Sequence, residues 1–89
     1  MAEVRFDAML RQFAVPSRAS VGASDVRALL DELEAKFPRL KFRIRDETGS
    51  VRRFVRVFVN GEAIDRLHGL ETPLGADDRV DILHSIQGG

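Results

Sequence analysis

The chain has no cysteine. That excludes a disulfide framework, a thiolate metal site, a cysteine nucleophile and a persulfide carried on the protein itself. It also fits a reducing compartment, so the expected location is the cytoplasm. An excess of either charge is lacking as well: 14 Lys and Arg balance 14 Asp and Glu, for a formal net charge of zero. A general polyanion binder is usually clearly basic, which makes nucleic acid the least favoured partner. No apolar run approaches the roughly 20 residues of a membrane-spanning helix. The opening Met-Ala-Glu-Val-Arg-Phe alternates charged and apolar residues, unlike a signal peptide, so no membrane partner is expected. Gly-x-Ser-x-Gly, a phosphate loop and a paired-acid arrangement are missing too. Of the two histidines, His68 and His84, His68 has no paired ligand near it in sequence, and no metal is expected. With neither a nucleophile nor an acid–base pair in view, the chain is not expected to be an enzyme in its own right.

What is present is ordinary globular material: 89 residues, 44% hydrophobic and 31% charged. That is one small domain with a modest core. Residues 3–10 alternate, with Val4, Phe6, Ala8 and Leu10 on one face, and predict a half-buried strand. Pro16 interrupts, and a short second strand is expected over 18–23. Residues 25–37 carry Val26, Leu29, Leu30, Leu33 and Phe37 at helical spacing, after Ser24 as the expected N-cap and before Pro38 as the stop. Arg27–Asp31 and Glu32–Lys36 stand four apart on the wet side of that helix. Leu40, Phe42 and Ile44 alternate with Lys41, Arg43 and Arg45 and predict another strand. A turn over 46–50 leads to the strongest strand, 51–59, and Asn60-Gly61 is a two-residue hairpin signal that sends Glu62–Ile64 back along it. Residues 65–78 read as irregular connection and 79–86 as the last strand. Strands around one amphipathic helix predict an α+β sandwich of a sheet and a helix.

Seven basic residues fall between Arg39 and Arg56, namely Arg39, Lys41, Arg43, Arg45, Arg52, Arg53 and Arg56, against two acids. Adjacent strands could gather several of them into a dock for an acidic protein partner. Alternation along 51–59 turns Val55, Val57 and Val59 towards the helix and leaves Phe54, Arg56 and Phe58 outward, with Leu83 outward on the last strand. Aromatics beside arginine on an uncovered face have the composition of a protein-binding patch. Beyond the last strand lies Gln87-Gly88-Gly89, read as a flexible tail after a domain spanning 1–86. Two glycines leave no side chain near the final carboxylate, so such a tail can thread a narrow channel in another protein.

Arg53-Phe54-Val55-Arg56-Val57-Phe58-Val59-Asn60-Gly61-Glu62, then Gly69-Leu70-Glu71-Thr72-Pro73-Leu74, Asp77-Asp78-Arg79-Val80-Asp81-Ile82-Leu83 and Ile86-Gln87-Gly88-Gly89, resemble the MoaD/ThiS family of sulfur carriers, and within it the CysO-type carriers. Residues 1–38 match in pattern only, and His84-Ser85 stands where many relatives have proline. The resemblance implies a ubiquitin-like β-grasp with a mixed four- to five-stranded sheet packed on one main helix. It implies that Gly89 is joined to AMP by a partner adenylating enzyme, which uses ATP, and is then converted to a thiocarboxylate. It implies further partners, a sulfur donor protein and a sulfur-accepting synthase, and no cofactor bound to the carrier. The alternatives are a ubiquitin-like modifier conjugated through Gly89 and the small subunit of a molybdopterin synthase.

Overall fold

A computed structural model of the chain describes residues 1–13 and 15–84. Its elements run β1 (Ala2–Phe6), α1 (Ala8–Arg11), β2 (Arg18–Val21), α2 (Val26–Lys36), β3 (Val55–Val59), β4 (Glu62–Ala63) and β5 (Arg79–His84), with single 3-10 turns at 38–40, 64–66 and 69–71. The sheet order is β2-β1-β5-β3-β4. The central pair β1–β5 is parallel and the other three pairs are antiparallel. A mixed five-stranded sheet grasping one main helix is the expected β-grasp.

The helix forms where the periodicity puts it. Val26, Leu29, Leu30 and Leu33 are fully buried, facing a sheet that contributes Val4, Phe6, Val55, Val57, Val80 and Ile82 to the same core. Asp25 rather than Ser24 is the N-cap: its side chain accepts the Ala28 N–H at 2.8 Å. Asp25 is extended and already tied to Pro73 by an isolated bridge, so its carboxylate is the one placed over the free amides of the first turn. The Asn60-Gly61 hairpin is as expected, with φ of 51° and 86° at its two central residues, the left-handed pair that an Asn-Gly turn tolerates. Asn60 also holds β5, accepting the Arg79 N–H at 2.9 Å and donating to Asp78 at 2.9 Å. The Gly75 N–H and the Asn60 amide, both donating to Asp78, hold its carboxyl below the usual carboxylate range.

Three expectations are corrected. The strand over 3–10 stops at Phe6, because Asp7 caps a short helix by accepting the Leu10 N–H. Leu10 is still buried there, but Ala8 is exposed. The strand over 51–59 begins only at Val55, where a turn closed by Val55 N–H to Arg52 C=O ends. The largest departure is 40–45, which is a turn and not a strand, with one bridge from Arg45 to Val51. Leu40 and Ile44 are buried as alternation requires, yet Phe42 is 52% exposed and Arg45 is buried. Phe42 has a φ of 65°, which reverses the chain so that Leu40 and Ile44 reach the core from two sides of a bend.

Arg45 is buried because it is paired. It donates to Asp31 at 2.7 Å and to Glu34 at 3.0 Å, pinning the 41–54 segment across α2. Asp31 thus serves Arg45 instead of the expected pair with Arg27. Burial opposes the charged guanidinium, but its hydrogen bonds to Glu34 and Asp31 outweigh it and hold the arginine's charge more firmly than usual. Arg45→Met should therefore cost roughly 1–3 kcal/mol, less than a fully enclosed pair, since Asp31 is open to water. Adding Glu34→Gln should recover part of that loss, because the stranded carboxylate is then removed. Urea unfolding of the single and double variants checks this, and a double variant less stable than the single one would contradict it.

Candidate functional site

The sheet face away from α2 is where the predicted patch falls. Arg56 and Leu83 stand opposite each other in register, and Phe58 stands opposite Asp81. Leu83 and Phe54 are each 40% exposed, Arg56 is exposed and Phe58 is half-buried. The outward side of three of these residues follows from strand alternation. Phe54 lies in the turn before β3, so the turn and not the pleat puts it outside. The Arg53 guanidinium lies 5.8 Å from the centre of the Phe54 ring. Phe58 and Arg56 continue into an open groove of about 590 Å³ whose far wall is Glu62, Asp65 and Arg66. The face is thus apolar at Leu83, Phe54 and Phe58 and rimmed by charges of both signs.

The seven basic residues do not form one dock. Arg45 is withdrawn against α2, Arg56 is on the outer face, Arg39 is in the 3-10 turn at 38–40, and Lys41 and Arg43 sit in the turn that replaced the expected strand. His68 is exposed and His84 ends β5. Among the described residues no three His, Asp or Glu side chains come together as a metal site would need.

Gln87, Gly88 and Gly89 lie outside the described residues, as do Ser85 and Ile86 at the end of the expected last strand. What the structure shows is the anchor from which they follow. The His84 N–H donates to Asp7 Oδ2 at 2.8 Å, while Asp7 Oδ1 accepts from Leu10 and the Asp7 N–H donates to Ile82. One carboxylate therefore caps α1 and fastens the end of β5. Asp7 was not singled out from the sequence. The usable signal was an aspartate just before Ala-Met-Leu-Arg, a cap position, but its second partner is 77 residues away and leaves no local trace.

A family model described as the ThiS family matches residues 5–89. The sulfur carrier protein CysO of Mycobacterium bovis is 32% identical over 72 residues, covering 79% of this chain and 77% of that protein. Among solved structures, the small archaeal modifier protein 1 of Methanosarcina acetivorans is 31% identical with a TM-score of 0.86, covering 99% of this chain and 95% of that one. A chain of the BexX/CysO complex of Amycolatopsis orientalis is 26% identical with a TM-score of 0.88, and the two chains cover each other completely.

Proposed function

The chain belongs to the ThiS family, and from that premise we propose that it is a sulfur carrier whose cargo is borne on Gly89. The observation that carries this reading is the family match running to residue 89, through the Gly88-Gly89 end. A carboxylate is a poor electrophile. The Gly89 carboxylate attacks the α-phosphorus of ATP on a separate adenylating enzyme, and pyrophosphate leaves. Hydrosulfide-level sulfur from a donor protein then attacks the acyl carbon, AMP departs with the carboxylate oxygen, and a thiocarboxylate remains. That sulfur is nucleophilic and is passed to an acceptor in a synthase. The carrier supplies position and a handle, while the catalytic groups and ATP belong to its partners. These steps run in the cytoplasm on this reading, and the described chain has no helix long and apolar enough to cross a membrane.

Intact mass of the protein produced with and without its adenylating enzyme and a sulfur source tests the proposal. The expected change is the replacement of one oxygen by sulfur, located on Gly89 by fragmentation. An unmodified mass under conditions that load a known carrier overturns it. A second reading, a modifier joined through Gly89 to protein lysines, is favoured by the likeness to the small archaeal modifier protein. Adducts on lysine in place of the thiocarboxylate distinguish it.

In either case the partner needs a grip, and the CysO relative held in a complex with BexX supports a protein-docking face. Phe54, Arg56, Phe58 and Leu83 are proposed as that grip. Leu83→Asp puts a charge in the middle of the patch on a side chain that faces outward. It should weaken binding to the adenylating enzyme by about 2 kcal/mol or more, roughly thirtyfold, with the melting temperature unchanged. A collapse in melting would instead make Leu83 part of the fold's own packing.

A further inference from the structure

The mechanism leaves one cluster unused. Phe13, Phe42, Arg43, Arg52 and His84 line a pocket of about 160 Å³ beside the end of β5. His84 follows Leu83, so alternation places its ring on the Ile82 side of the sheet, opposite to the docking patch. Four features separate this pocket from ordinary surface. The Arg43 guanidinium is stacked 4.8 Å from the Phe13 ring centre, which orients it. The Arg43 and Arg52 backbones are fixed by N–H donation to Leu40 and Ile44, both at 2.8 Å, so two guanidiniums are delivered from two tethered strands of chain. The ion pairs of the described residues involve neither of them. Asp46, the acid that feels Arg52, already accepts from Thr48 and Ser50. Finally, His84 Nδ1 is buried and has no hydrogen-bond partner among the described residues. A polar atom left in that state is costly and calls for a missing acceptor or donor.

We propose that this pocket is an oxyanion site, taking one carboxylate or phosphate group between Arg43 and Arg52 and against the His84 imidazole. Its volume is below the roughly 300–1,000 Å³ of pockets for whole small molecules, so it suits a single group. Planar guanidiniums hold such groups by paired, charge-assisted hydrogen bonds. The exposed Phe42, held at a left-handed φ that costs a bulky residue energy, forms the rim. The group comes either from a free anion or from an acidic side chain of the protein that receives the segment beyond His84. Only the second source rests on the carrier reading.

The test uses the full chain, labelled for NMR and titrated with inorganic phosphate at constant ionic strength. Saturable shifts confined to the Arg43 and Arg52 side-chain N–H and the His84 ring are expected. They should weaken at least about tenfold in Arg43→Ala/Arg52→Ala and be untouched in Arg39→Ala, which removes one charge outside the pocket and so matches Arg52→Gln in charge. Arg52→Gln alone, which keeps the Arg43–Phe13 stack, gives the same readout should the double variant melt early. In a second arm the affinity for the adenylating enzyme is measured for the same variants with and without phosphate. A loss specific to the pocket variants, with competition by phosphate, assigns the site to a partner's acidic group. Phosphate binding with unchanged partner affinity assigns it to a free anion. Shifts linear in phosphate, together with pocket variants that bind the partner no differently from Arg39→Ala, overturn the proposal. The first arm needs no adenylating enzyme, so its failure is separate from a failure of the carrier reading.

Discussion

Deleting Gly89 should abolish both transfer of AMP and acquisition of sulfur, and leave the melting temperature where it was. The chemistry requires an acyl carbon at the end of a segment free of side chains, and shortening it by one residue withdraws that carbon by about 3.3–3.6 Å from wherever the partner's nucleotide is held. A misplacement of even 1 Å can cost a hundredfold in rate, so the expected result is loss and not slowing. Stability should not follow, because among the described residues the core cluster extends no further along the chain than Ile82, well before Gly89. Adenylation is read by release of pyrophosphate and sulfur loading by intact mass, with thermal melting in parallel. Normal adenylation of the shortened chain would end the carrier reading. Lost adenylation with a lowered melting point would mean that the last residues support the fold.

Leu30→Ala is expected to cost about 2–5 kcal/mol, the range for emptying a well-packed leucine site. Leu30 has no exposed surface and lies in the middle of the α2 stripe, within the cluster shared with the central strands. A small domain has little to spare: total stabilities are about 5–15 kcal/mol, and this one has no cysteine for a disulfide and, among its described residues, no side-chain cluster that could hold a metal. Chemical denaturation with an unchanged m-value would show a loss in the native state alone. A cost below about 1 kcal/mol, as at a surface position, would contradict the packing of this helix.

The helix and the central strands were legible because their periods are long enough to be unambiguous. Five apolar residues at helical spacing leave one way to bury α2, and the Asn-Gly turn sets the register of β3 on β4. The segment 40–45 shows the limit. Leu40, Phe42 and Ile44 look like one face of a strand, but two buried residues four apart are equally served by a bend, and a left-handed φ at Phe42 has no sequence signature. Arg45 misleads for a related reason. Its burial depends on Asp31 and Glu34, which lie 14 and 11 residues earlier on another element, so no local pattern reports it. Alternation turned Arg56, Phe58 and Leu83 away from the core strand positions, as their burial pattern has it, whereas Phe54 is exposed from a turn that alternation does not describe. Asp7 was invisible as an anchor because the amide it holds belongs to the opposite end of the chain.

The place of β5 has a consequence for how the protein is made. It lies between β1 and β3, and its pairing with β1 joins residues 3–6 to residues 79–82. Without it the sheet is two separate hairpins and the core is open along its middle. Folding must therefore wait until β5 has left the ribosome, and the closing step pairs β1 with β5, whose partner residues are 76 apart in sequence. Such non-local closure slows folding relative to domains built from neighbouring contacts. During that wait Val4, Phe6 and the α2 stripe are uncovered, which makes the nascent chain a candidate for chaperone binding well before it can meet the enzyme that activates it.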